Sequence, residues 1–586
     1  MLNKILVVDL TKRNYNQLIL DRKAAFEYLG GLGLASRYLY ENITPAVNPF
    51  SPQAVLALFT SVLEDKFMGS RRFGVFFKSP LTGIVGETYV NGSVSESLKN
   101  LGYIGIVIQG SSDQPTWLLI NESDVIFHDA NSLWGADAAS TCIEIRKEVK
   151  SKNLGVLSIG PAGENLVRYA SIIVDGKYMA PRCGGGAVMG SKNLKAIAVD
   201  NPISESENEN KIKEAGLIID RIRSAQMEKD RIALTGDLAL IELANERGVF
   251  PTRYWRYGVS DNYLNFNASK IASSILEERE GCGDCPIKCR FICRDPSGKL
   301  GEKYHLTYET VNAFAGLCGL VNVEDIACMN GLCYRLGVDP ASLGNMISFA
   351  IELASKRKLK KDHAIDYGDL EGIKRLAEQI CYRGEFGFYF SDGLRIAAKK
   401  LSYSGPLIEI KGLEPIGLDP RGLNLYPLLL GVSESGGSHG SLSLFSEELK
   451  SGFDKYLRRF DISEVIELTH KICLINTLML CDVISPYLDL PLISDMVTTI
   501  LGIQYSTTTL KIISEKIIRL NRSFLAREGL RKKDDILPEI FYEQPLLTGV
   551  SKGKVLDYDK FVNKLEEYYS RLALDKEWSS TKKGNF

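Results

Sequence analysis

Residues 160–199 read GPAGENLVRYASIIVDGKYMAPRCGGGAVMGSKNLKAIAV. Two β-branched runs in it, SIIVDG and LKAIAVD, flank a basic turn carrying Gly184, Gly185 and Gly186. Successive glycines let backbone amides approach a ligand closely, and amides at a helix start favour phosphate. Arg182, just before them, adds a guanidinium able to fork onto phosphate oxygens. The competing reading is a tight structural turn. The stretch is neither G-x4-G-K-[ST] nor G-x-G-x-x-G with a following acidic residue, so the common nucleotide loops are excluded.

Outward from this stretch the same texture continues to the N-terminus. KILVVDL, AVLALFT, FGVFFKSP, GIVIQG, TWLLI and GVLSIGP alternate with glycine-rich turns, while Ala24–Glu41 and Ala138–Ser151 read as helices. The polar segment NPISESENENKIKE, from Asn201, marks a boundary. Beyond it the pattern turns helical over Lys211–Thr235, Leu238–Glu246, Val323–Leu336 and Ser342–Ser355, with a second punctuation at GLEPIGLDPRG. The expectation is an α+β multidomain chain. Residues 1–203 form a β-rich cofactor-binding domain, 204–413 a helical domain with a cysteine cluster, and 414–586 a helical C-terminal domain.

A chain of 586 residues exceeds one hydrophobic core. A net charge of −1 gives no reason to expect nucleic acid or an anionic membrane as partner. MLNKILVVDLTKR is too short in its apolar part for a signal peptide, and no apolar run approaches the roughly 18 residues of a membrane span. A cytoplasmic protein is expected, and there clustered cysteines are metal ligands or redox groups more often than disulfides.

Such a cluster stands in GCGDCPIKCRFIC, Gly281–Cys293. Cys282, Cys285 and Cys289 are spaced C-x2-C-x3-C, and the glycines and Pro286 allow a tight loop. Thiolates at this spacing suit an iron–sulfur centre. Zinc and free core thiols are the alternatives. Spacing leaves the fourth ligand open between Cys293 and a distant cysteine.

The opening stretch resembles the aldehyde:ferredoxin oxidoreductase family. The likeness continues through LGGLGLASRYLY (Leu29–Tyr40), RRFGVFFKSPLTG (Arg71–Gly83), the cysteine cluster, YETVNAFAGLCGL (Tyr308–Leu320), LGVDPASLGNMISFAIEL, LDPRGLNLYPLLLGVS and LAREGLRKKDDILPE. The resemblance implies tungsten, or molybdenum, carried on two pterins whose phosphates share a magnesium ion. It implies a [4Fe–4S] cluster on Cys282, Cys285, Cys289 and, through NTLMLC, Cys481, leaving Cys293 outside. Arg72 and Arg182 match arginines that hold the pterin pair, and the backbone near Asn91 and Cys183 matches the magnesium site. The implied reaction oxidises an aldehyde to a carboxylic acid and passes electrons to a ferredoxin or another electron-transfer protein. A homodimer or a larger redox complex is implied for the assembly. Glu309 and His439 fall at positions of acid–base groups. Taken alone, a single histidine is more often a hydrogen-bonded surface or core residue.

Two motifs depart from the family pattern. The first reads YRLGVD, with Tyr334 replacing a leading aspartate while Asp339 still matches; the second has Asn476 in that place. An amide offers a pterin edge one acceptor oxygen where a carboxylate offers two. The departures leave two other readings open. One is a ring-reducing subunit acting on aromatic thioesters, and the other is a non-catalytic electron-transfer subunit.

Overall fold

The computed structural model describes residues 3–63, 71–151, 153–201, 231–282, 285, 287–298, 302–356, 365–438, 448–449 and 461–574. The N-terminal region builds two six-stranded mixed sheets. The first takes β1 (Lys4–Asp9), β2 (Asn14–Ile19), β3 (Leu56–Phe59), β4 (Arg72–Lys78), β5 (Val85–Asn91) and β6 (Tyr103–Gln109) in the order β2-β1-β6-β3-β4-β5. The second takes β7 (Thr116–Ile120), β8 (Val125–Asp129), β9 (Leu154–Ser158), β10 (Ile172–Val174), β11 (Tyr178–Ala180) and β12 (Leu194–Asp200) in the order β11-β10-β9-β12-β7-β8.

One apolar cluster joins the two sheets, with Leu6, Phe73, Val75 and Ile106 of the first against Leu118, Leu157, Ile172 and Ile197 of the second. Central strand β4 is buried at every residue, which explains its unbroken apolar run. Edge strand β2 is exposed throughout and reads NYNQLI, without the alternation that marks a half-buried strand.

Beyond residue 230 the described chain is mainly helical. Helix Val323–Leu336 packs against the helix Ala138–Val149 and the strand Lys303–Leu306, helix Pro340–Ser355 against the segment Asn312–Leu317, and helices Ile462–Thr477 and Thr507–Arg527 on each other. Asp339, Asp461 and Ser506 cap the helices that begin at Pro340, Ile462 and Thr507 through their side-chain oxygens. Two local expectations are corrected. Ala24–Glu41 is two helices, Arg22–Tyr28 and Gly31–Asn42, because Leu29 and Gly31 both take positive φ (57° and 36°). The otherwise helical middle also holds an antiparallel sheet of β13 (Leu276–Glu280), β14 (Arg290–Arg294) and β15 (Lys303–Leu306), whose charged LEERE and KYHL strands carry no β signal. No described helix is long and apolar enough to cross a membrane.

Candidate functional site

A cavity of about 310 Å³ lies where the two regions meet. Its wall includes Arg72, Asn91, Arg182, Glu309, Asp339 and Cys481, drawn from both sheets and from the helical region. Strand register explains part of the convergence, because β4 pairs with β5 so that Arg72 stands directly opposite Asn91. Arg72 Nη1 donates to Asn476 Oδ1 at 3.3 Å and to the Leu480 carbonyl at 2.9 Å, and its guanidinium lies 4.5 Å from the Tyr89 ring centre. Asn476 is fully enclosed in its helix and lines a smaller adjoining cavity of about 40 Å³.

Arg182 begins three consecutive residues with positive φ: Arg182 at 69°, Cys183 at 59° and Gly184 at 87°. Left-handed backbone at non-glycine residues stores strain, which functional sites tolerate when the surroundings enforce it. Arg182 Nη1 donates to Asp339 Oδ2 at 3.3 Å, and Nη2 donates to the Glu414 carbonyl. Burial works against the charged guanidinium, but Asp339, Glu414 and Glu309 outweigh it and hold Arg182 above its usual value. Gly184 and Gly185 do not line the cavity. A Cβ at Gly184 would collide with the Arg168 carbonyl, so close packing of this chain on itself accounts for that glycine. The Cys183 carbonyl accepts from Ser79 Oγ at 2.7 Å.

Glu309 sits on a short helical turn, Tyr308–Val311, that runs into a π-helical segment, Asn312–Leu317. Such insertions concentrate at functional sites. Burial pushes its carboxyl up to about 7, against the pull of Arg182 and the Gly417 N–H. Three further acids stand nearby, none marked by a motif: Glu87 and Asp237 in the cavity wall and the buried Glu414, whose carbonyl accepts from Arg182. Burial takes Glu87 and Glu414 to about 7 and Asp237 to about 6. A carboxylate such as Glu87, set in a strand of buried neighbours, was the available signal. His439 lies outside the described residues. Tyr334 stacks on Tyr304 at 4.8 Å and donates to the His305 carbonyl at 3.0 Å, so its hydroxyl is already engaged. Cys318 is a core thiol near the Gly344 carbonyl, away from the cavity.

At another part of the same wall stand Cys289 and Cys481. Burial raises the pKa of all four candidate thiols, and their mutual repulsion adds to it. Cys481 acts on Cys285 and Cys289, Cys282 acts on Cys481 and Cys289, and Cys285 acts on Cys282. Thiolates gathered in so poorly solvated a place repel one another unless a cationic centre joins them. Cys293 does not take part: its sulfur is buried in the core near the Phe291 carbonyl, and among described groups only Glu277 is coupled to it. Three neighbouring thiols and one remote thiol are a donor set that fits an iron–sulfur centre.

The cavity also fits a phosphate-bearing cofactor. Two buried guanidiniums face it, and the buried Asn91 Oδ1 and Arg182 Nε have no hydrogen-bond partner among the described residues. Buried polar atoms are almost always satisfied, so these two are open to a ligand's groups or to water.

Comparison with known proteins bears on the whole chain. The family model for the aldehyde ferredoxin oxidoreductase N-terminal domain matches residues 5–201, and that for domains 2 and 3 matches residues 216–583. A tungsten-containing aldehyde ferredoxin oxidoreductase of Pyrococcus furiosus is 30% identical over 570 residues, covering 94% of this chain and 92% of that protein. One from Thermococcus kodakarensis is 31% identical over 566 residues, covering 93% and 91%. An aliphatic sulfonate oxidoreductase WOR-like subunit of Pyrococcus furiosus is 25% identical, covering 98% and 94%. Among solved structures, the active-site complex BamBC of benzoyl coenzyme A reductase shares the fold, with a TM-score of 0.80 at 22% identity, covering 98% of this chain and 97% of that one. With both family models and relatives matching along nearly its full length, the chain is an oxidoreductase and belongs to the aldehyde ferredoxin oxidoreductase family.

Proposed function

We propose that this protein oxidises an aldehyde to a carboxylic acid at a tungsten, or molybdenum, bis-pterin site and sends the electrons through a [4Fe–4S] cluster to a ferredoxin. One observation carries the reading: a single cavity wall bears cluster thiols Cys289 and Cys481 together with the arginine pair Arg72 and Arg182 and the acid Glu309. The tungsten assignment is supported by the names of the relatives.

Arg72 and Arg182 would hold the pterin phosphates, with magnesium near Asn91 and Cys183. Asp339 and Asn476 would meet the pterin edges. Cys282, Cys285, Cys289 and Cys481 would hold the cluster. When bound, the metal supplies a two-electron acceptor with soft sulfur ligands, and the cluster supplies a one-electron exit. Oxidation of an aldehyde with water gives the acid, two protons and two electrons. Glu309 is suited to receive a proton near neutral pH, since its carboxyl is held at about 7.

Elemental analysis of anaerobically purified protein, with aldehyde-dependent reduction of a viologen dye, tests the reading. About one tungsten or molybdenum per chain and dye reduction are expected, and iron without either heavy metal would overturn it. A second reading, another small redox substrate on the same scaffold, draws on Tyr334, whose hydroxyl is tied to the protein where the family presents a carboxylate. A sulfonate-dependent activity without aldehyde turnover would favour it.

A further inference from the structure

Arg290 stands inside the cysteine-rich stretch without being one of its candidate ligands; it follows Cys289 and opens β14. It is only 7% exposed. Its Nη2 donates to Cys282 Sγ at 2.8 Å, and its guanidinium lies 4.2 Å from the centre of the Tyr178 ring. Tyr178 is itself fixed, its hydroxyl donating to Glu280, which also pairs with Lys177. A buried guanidinium normally takes a carboxylate. Among the described residues none stands at ion-pair distance from Arg290; its near partners are the Cys282 sulfur and the Tyr178 ring, while Glu280, its cross-strand neighbour on β13, acts on it only at longer range. Arg290 also lines the cavity beside Cys289 and His305.

We propose that Arg290 is a positioning residue that sets the electron affinity of the centre bound by the four cysteines. The inference rests on the proposed function, which places an iron–sulfur cluster there. An electron arriving adds one negative charge, and no bond is made or broken. An N–H donated to a ligand sulfur draws density from it, and a fixed positive charge in poorly solvated surroundings attracts the added electron. Both effects favour the reduced state. Because arginine stays protonated across the accessible pH range, the contribution is independent of pH. Arg71 also acts on Cys282, but it is half-buried at the surface and paired with Glu96 at 3.2 Å, so its charge is already partly answered.

The test is a redox titration of anaerobically purified, iron-loaded full-length protein, followed by electron paramagnetic resonance. Ambient potential is fixed where the wild-type cluster is half reduced. Arg290→Gln is expected to lower the reduced-to-oxidised ratio about tenfold, which is about 59 mV for a one-electron couple. Arg290→Lys, which keeps the charge without the planar stack, is expected to lower it by less. The wild-type offset from Arg290→Gln should be the same at acid and alkaline pH. A ratio in Arg290→Gln within about twofold of wild type, at full iron content, overturns the proposal. If that variant loses its iron, Tyr178→Leu decides the matter: a lowered ratio supports the proposal and an unchanged ratio overturns it. Wild-type protein that binds no iron overturns the proposed function itself, an outcome distinct from a full cluster indifferent to Arg290.

Discussion

Arg72 Nη1 lies 3.3 Å from Asn476 Oδ1, so a guanidinium on an N-terminal strand reaches the end of a helix 404 residues later in the chain. The contact joins the β-rich region to the helical region at the cavity wall. Arg72→Met removes a buried cation facing the place where the proposal puts the pterin phosphates. The expected outcome is at least about a tenfold loss of bound pterin and heavy metal, because charge-assisted phosphate contacts are among the stronger hydrogen bonds. Far-ultraviolet circular dichroism should be unchanged. Pterin content after acid extraction checks this.

Glu309 should impose a pH dependence on turnover. Its carboxyl is protonated below about 7 and ionised above it. For a group that accepts a proton, turnover rises by about tenfold per pH unit up to that value and then levels. Glu309→Gln should cost about 10²–10⁴-fold in kcat and abolish the rise. Steady-state rates across the pH range, with metal content measured in parallel, check both points.

The cysteines divide into ligands and bystanders. Cys481→Ser should alter the cluster's paramagnetic spectrum or lower the iron content. Cys293→Ala should leave both at wild-type values, since that buried sulfur faces the Phe291 carbonyl and is coupled, among the described groups, to Glu277 and to none of the other four thiols. Iron assay and spectroscopy on the pair of variants separate the two sites.

In the helical region, Asp535 stands between Lys411 at 2.8 Å and Arg522 at 2.7 Å, with all three side chains fully buried. Burial alone would raise its pKa, but Arg522 and Lys411 outweigh it and hold the carboxyl below the usual value. The stabilisation is therefore complete above the unfolded-state value of about 4 and is lost as pH falls through the lower folded-state value. Asp535→Asn removes the carboxylate that Lys411 and Arg522 share, leaving Glu434, 3.5 Å from Arg522, to answer both cations, and should destabilise the fold by about 3–5 kcal/mol. A lowered thermal midpoint at neutral pH, shrinking in acid, is the expected readout.

Much of the β-rich region was legible because β1, β3, β4 and β12 bury β-branched and aromatic residues in short runs between turns. β2 and β13 escaped notice because exposed or charged side chains erase the period-two pattern on which strand reading depends. The break after Tyr28 was hidden because left-handed backbone at Leu29 leaves no mark in composition. In the site, cysteine spacing was visible locally. Glu87 and Arg290 were not, since each gains its role from packing against distant segments. Glu87 meets Ser435 across 348 residues, and Arg290 meets the Tyr178 ring on another sheet.

The most direct measurement is metal analysis joined to electron paramagnetic resonance on a single anaerobic preparation. The account predicts about four iron atoms and about one tungsten or molybdenum atom per chain, with a cubane signal that appears on reduction. Full iron occupancy with neither heavy element, or a heavy element with no iron, would contradict it.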